Sequence, residues 1–148
     1  MAAAETTLTR FWTFSHDGDA DGYRLYRRHY PSAKNPHPRL RQFVGPGEKF
    51  VLTGFFCRAL FVWRKFLDDS GQRGVNCAAF RNESPHRSSD MIREAVTLAR
   101  LRWPGERLYT YVDPARVRSP NPGYCFEQAG WRYAGKTKKG LHILELLP

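Results

Sequence analysis

A mixed α/β fold, one mixed β-sheet with helices on both faces, is what this sequence predicts. Three observations lead there. Short runs rich in β-formers fill the middle and the end of the chain. Two segments carry apolar residues at helical spacing between punctuating residues. One of those helices lies between two strands, and a crossover helix makes its flanking strands parallel. With 148 residues, 41% hydrophobic and 14% aromatic, the chain has the size and composition of a single domain with its own core.

The elements follow in order. A first helix starts at Asp19 or Asp21 and stops at Pro31, because proline has no N–H to continue it. Spacing of three and four gathers Tyr23, Tyr26 and Tyr30 on one face and crowds Arg24, Arg27 and Arg28 on another. Residues 31–38 are studded with proline and must be extended or turning. Residues 49–53 (KFVLT), 59–66 (ALFVWRKF) and 74–82 (GVNCAAFRN) read as strands of an antiparallel meander, with a glycine-containing turn and the loop 68–74 between them. A helix over 89–102 begins at Ser88 or Ser89 as cap, carries Asp90 at its positive end and stops at Trp103-Pro104-Gly105. Its Ile92, Ala95, Val96, Ala99 and Trp103 form a core face. Residues 107–113 (RLYTYVD) make a strand, 124–129 a short helix ended by Gly130, and 131–137 and 141–147 two last strands turning at Lys138-Lys139-Gly140. No repeat or linker divides residues 1–148, of which 1–47 form a basic helical and extended segment ahead of the sheet.

Charge is the most informative bulk property. Lys and Arg number 24 against 14 Asp and Glu, a formal net charge of +10. Such a domain attracts polyanions, nucleic acid being the commonest; a solvated basic surface without a specific partner is the plainer alternative. No apolar run approaches the roughly 20 residues that span a membrane. The start, MAAAETTLTRFW, lacks the basic and apolar regions of a signal peptide. The expectation is a soluble cytoplasmic protein with no membrane partner. Cys57, Cys77 and Cys125 form no C-x-x-C pair and read as small core residues rather than zinc ligands. Asp17, Asp19 and Asp21 stand beside Gly18 and Gly22, but the twelfth position counted from Asp17 is Arg28, which excludes a calcium loop. The five histidines are scattered, and no metal is expected.

The element order, together with Phe126-Glu127-Gln128-Ala129-Gly130-Trp131, resembles the GNAT acyltransferase superfamily over about residues 49–147. The resemblance implies a GNAT-like sheet, an acetyl-CoA or other acyl-CoA donor, and acyl transfer to an amine. Within it, the short, basic chain with a His- and Tyr-rich N-terminal segment looks like the phage Mom-type proteins and the phage proteins that act on hypermodified thymidine. That implies modification of a nucleobase in phage DNA, in the host cytoplasm. Two positions depart from the family pattern. The glycine-rich loop that holds the coenzyme A pyrophosphate is matched by Phe80 to Asp90, FRNESPHRSSD, which has no glycine. The tyrosine that protonates the leaving thiolate is matched by Phe126, which has no proton to give.

Three corners carry candidate chemistry. At the first, Arg81, Arg87, Ser88 and Ser89 can hold an anion, Asn82 offers an amide, and Glu83 is a general base if burial raises its pKa. The same residues can instead cap the helix and pair Glu83 with an arginine. At the second, Asp113 can take an amine's proton, Asn121 can bond a pantetheine-like amide, and Tyr124 is the nearest phenol to Phe126. A proline-stiffened loop with Asx turns explains them equally. At the third, Arg24, Arg27, Arg28, His29, Tyr30, Ser32 and Lys34 overhang the acceptor site, where basic and aromatic groups suit a base removed from the duplex; tyrosines packed on the sheet are the alternative. The readings left open are a DNA-modifying transferase, an N-acetyltransferase for a small amine or a protein, and a non-catalytic nucleic-acid-binding module.

Overall fold

The computed structural model describes residues 9–28, 43–67, 71–116 and 121–148. Its elements are β1 (Trp12–Ser15), α1 (Ala20–Arg28), β2 (Glu48–Gly54), β3 (Ala59–Lys65), β4 (Val75–Asn82), α2 (Ser88–Arg102), β5 (Leu108–Val112), α3 (Tyr124–Gln128), β6 (Arg132–Lys136) and β7 (His142–Leu146). Seven strands form one mixed sheet in the order β1-β2-β3-β4-β5-β7-β6. Only β4 and β5 run parallel; every other neighbouring pair is antiparallel.

Alternation along the strands divides the core in two. From β3, Ala59, Phe61 and Trp63 point into the larger cluster, with Ile92, Ala95 and Ala99 of α2 and Phe126 of α3. Leu60 and Val62 point the other way, into a smaller cluster with Leu25 of α1 and Phe43. Helices therefore cover both faces. On the α2 face two of the indoles bond to the helix backbone. Trp12 Nε1–H donates to the Met91 carbonyl at 2.7 Å, and Trp63 Nε1–H to the Ala95 carbonyl at 3.0 Å. Asp19 caps α1 by accepting the Gly22 N–H at 2.8 Å, and Asp17 gathers the N–H groups of Phe43 and Val44 and the Lys49 ammonium. These aspartates are thus structural ties of the N-terminal region.

Strand β1 is the element the sequence reading lacks. It holds its place through Glu94 on α2, whose carboxylate accepts the N–H groups of Arg10, Phe11 and Trp12 at 2.8, 2.9 and 3.0 Å. Three successive donors on one anion make a nest. Two smaller corrections concern ends. The N-cap of α2 is Arg87, with no side-chain cap, so Ser88 and Ser89 lie inside the helix. Cys77 is a core residue as expected, but Cys57 sits in the β2–β3 turn and is only partly buried, as is Cys125.

That turn has an unusual backbone. Phe55, Phe56 and Cys57 all have positive φ, at 43°, 51° and 61°. Arg58 N–H bonds the carbonyls of Gly54 and Phe55 at 2.9 and 3.0 Å. The result is one left-handed turn built without glycine, a conformation that costs about 1–2 kcal/mol per residue.

Glu94→Ala is expected to lower stability by about 2 kcal/mol, the scale of hydrogen bonds to a charged group, with Glu94→Gln losing less. A urea melt measures this. An unchanged midpoint for Glu94→Ala would mean that β1 is held by packing alone.

Candidate functional site

The site is built on a parting of strands. Strands β4 and β5 pair only over Val75–Cys77 and Leu108–Thr110, yet β4 continues to Asn82. The cause lies in β4. Val62 pairs with Ala79 and Trp63 with Cys77, so Ala78 is an extra residue, and a bulge of this kind bends its strand and increases the twist. The Thr110 hydroxyl donates to the Cys77 carbonyl at 3.0 Å, at the last shared position. Beyond it the two strands leave a fork. The Glu83 N–H donates to the Arg58 carbonyl at 2.8 Å. Because an antiparallel ladder alternates, the backbone groups of Asn82 and Phe80 then face the side that β5 has left.

Helix α3 bridges the two arms. Phe126 meets Phe80 of β4 edge-on at 6.0 Å and Trp131 at 4.9 Å. Gly123, with φ 83°, leaves no room for a Cβ against Leu144, and Val112 of β5 lies 3.6 Å from that position. Phe126 is a core residue, whereas Tyr124 at the start of the same helix is exposed.

The loop after β4 needs no glycine because side chains shape it. The Asn82 amide donates to the His86 carbonyl at 2.8 Å and to Ser88 Oγ at 3.0 Å. Its carbonyl oxygen accepts the Ser84 N–H at 2.9 Å and the Ser84 hydroxyl at 2.5 Å. Four bonds saturate an amide, so the Asn82 side chain is engaged by the loop itself. Glu83 corrects a second expectation. Arg28 and Arg81 grip its carboxylate at 2.6 and 2.8 Å. The Arg81 hydrogen bond first, with the Arg28 charge in support, holds the carboxyl below the usual carboxylate range despite partial burial. Burial pushes the carboxyl up but the two arginines outweigh it, so the net shift runs opposite to the one a general base near neutral pH needs.

The remaining expected residues divide between engaged and exposed. Arg81 also donates to the Arg28 carbonyl at 2.9 Å, so it ties β4 to α1. Arg87 is exposed, Ser88 is half-buried, and Ser89 is buried, which withdraws its hydroxyl from the surface. Asp90 pairs with Arg93 at 3.0 Å. Arg24 donates to the Cys57 carbonyl at 2.9 Å while remaining exposed, and Arg27 lies 5.8 Å from the Tyr23 ring centroid. Tyr23 and Tyr26 pack against the smaller core cluster. Asp113 accepts the Ala115 N–H at 3.0 Å and pairs with Arg116 at 3.6 Å, an Asx turn in the loop after β5. The Asn121 carbonyl accepts the Tyr124 N–H at 3.1 Å. His29, Tyr30, Ser32 and Lys34, expected to overhang the acceptor site, lie outside the described residues.

Sequence reasoning missed the aromatic run beside this corner. His86 stands edge-on between Phe11 at 5.1 Å and Phe55 at 4.7 Å, and Phe56 follows at 5.1 Å from Phe55. Its only signal was the Phe55-Phe56 pair, two large apolar residues inside the glycine-containing turn between the strands. Away from this end, a groove of about 540 Å³ runs along β1 between Phe14, Lys49, Phe50, Leu98 and Arg102. No helix among the described residues is long and apolar enough to cross a membrane, and those residues hold no cluster of His, Cys, Asp and Glu suited to a metal ion. Compared with family models, with curated proteins and with solved structures, the chain gives no match.

The lowered Glu83 carboxyl fixes a pH dependence. Its ion pairs contribute stability above the ordinary value of 4.5, and that contribution is lost as pH falls through the lower folded value. Glu83→Gln is expected to flatten part of the decline in unfolding free energy below about pH 4.5, relative to the native chain. Parallel declines would show that the Arg28 and Arg81 pairs contribute nothing.

Proposed function

We propose that the chain is a GNAT-like transferase that modifies a nucleobase in DNA, by acyl transfer from an acyl-CoA to an amine. The observation that carries the reading is the fork between β4 and β5. Phe80 and Asn82 turn backbone donors and acceptors toward it, and an extended, amide-bearing arm can take the place of the missing strand. The α2 N-terminus begins at the same end, without a side-chain cap and with Arg87 exposed beside it. Helix N–H groups and a guanidinium together favour phosphate, and the Asp90 charge that opposes it is countered by Arg93. The residues therefore fit an acyl-CoA in this manner: Phe80 and Asn82 by backbone for its arm, Arg87 and the start of α2 for its phosphates. The thioester supplies the activated acyl carbonyl.

Within this reading the chain's own residues bind and orient more than they move protons. Glu83 stays ionised and braces Arg28 and Arg81. Asp113 shapes the loop after β5. Tyr124 is the exposed phenol of α3. The net charge of +10 and the exposed Arg24 and Arg27 of α1 supply the attraction to DNA.

A second reading, a nucleic-acid-binding module without catalysis, draws on the saturated Asn82 amide and the doubly paired Glu83. Calorimetry with acetyl-CoA on nucleic-acid-free protein separates the two. The transferase reading expects micromolar binding that Arg87→Ala weakens about tenfold, the scale of one charge-assisted contact. Absence of binding, with salt-sensitive DNA affinity retained, would leave the module.

A further inference from the structure

The β2–β3 turn places an aromatic ring where the fold has no use for it. Phe56 is 88% exposed, at the tip of the left-handed turn. Behind it stand Phe55, His86 and Phe11 in edge-on succession, at 5.1, 4.7 and 5.1 Å, so the ring is the outer end of a braced stack. The turn also has a defined position. Arg58 accepts the Glu83 N–H, and Ala59 pairs with Asn82, which sets the turn beside the end of β4, at the end of the sheet where the fork opens.

The surroundings select the partner. Arg24, bonded to the Cys57 carbonyl, is exposed beside the tip. Arg58 follows it in the chain and is exposed, as is Arg87 next to His86. Arg10 lies 5.0 Å from the Phe11 ring centroid. Of the acids nearby, Glu83 is paired with two arginines, Asp19 caps α1, and Asp21 hydrogen-bonds the Cys57 thiol, which does not balance its charge. Exposed Arg10, Arg24, Arg58 and Arg87 outnumber Asp19 and Asp21 around the ring, so the tip favours an anionic partner over a second copy of itself. It suits a polyanion with flat apolar faces, and nucleic acid has both.

We propose that Phe56 is a stacking wedge, which enters a base step of bound DNA and holds one base unstacked at the mouth of the fork. The proposal rests on the DNA-directed reading above and adds to it the means by which a base becomes accessible. A base inside a duplex is out of reach of an enzyme that acts on it, and apolar wedges at base steps are a known physical solution to unstacking.

The test uses the full chain with oligonucleotides carrying 2-aminopurine, whose fluorescence rises on unstacking. The native protein is expected to raise it on binding. Phe56→Ala should abolish the rise and weaken single-strand binding at least fivefold, the low end of one base–aromatic stack. The slope of affinity against salt should not change, because phosphate contacts remain. Phe56→Trp should restore the signal. Phe56→Gly should raise the thermal midpoint, since glycine adopts the φ of 51° freely, while losing the signal. Unchanged fluorescence and affinity in Phe56→Ala, with salt-sensitive binding intact, would overturn the wedge and leave the DNA-directed reading standing. No salt-sensitive binding by the native chain would overturn both. Sedimentation showing a native dimer that Phe56→Ala dissociates would reassign the tip to a contact between copies.

Discussion

The inserted Ala78 is the constraint from which the rest of this end of the molecule follows. One extra residue in β4 bends the strand away from β5 immediately after Cys77. With it, the backbone beyond the bulge loses its neighbour on one edge, and α3 must reach across to seal the α2 face. Phe126 does so by packing on Phe80. Phe126 is thus a ring that supports the arms of the fork.

Charge at the fork is divided in a way composition alone does not reveal. Arg28 and Arg81 converge on Glu83 and tie the end of α1 to the end of β4. Arg24, Arg58 and Arg87 remain exposed around them. An internal triad of this kind fixes geometry, while the exposed cations face whatever anion approaches. An excess of base over acid is thereby turned into a local field, because the nearest carboxylate is already neutralised.

The sheet's middle and end were legible in the sequence, and the reason is physical. Residues 49–53, 59–66, 74–82, 107–113 and 141–147 carry β-formers between turn residues, and the observed strands match them to within one or two residues. The helix after Ser88 announced itself by periodicity and ended at Trp103. What could not be read depends on distant partners. Strand β1 is four residues long, with Trp12 buried and Phe14 exposed, and its anchor, Glu94, is 82 residues further along from Trp12. The turn Phe55-Phe56-Cys57 has no residue that favours positive φ, so the surrounding fold, not local propensity, holds it. At the candidate site, the residue types near β4 were found, and pairing of Glu83 with an arginine stood as one of two readings, but nothing in the sequence chose between them. Whether Asn82 and Glu83 are available depends on Ser84, His86 and Arg28, which only tertiary structure brings to them.

Glu94 also bears on how the sheet ends. Strand β1 is an edge, and an edge with open donors is a template on which another chain can add. The carboxylate of Glu94 occupies the N–H groups of Arg10, Phe11 and Trp12, and the strand, which begins at Trp12, is only four residues long. At the opposite edge, β6 carries Arg132 and Lys136 and an irregularity between Tyr133 and Gly135. A charged clasp at the start of one edge and a charged, irregular ladder at the other are features that disfavour the addition of a further strand.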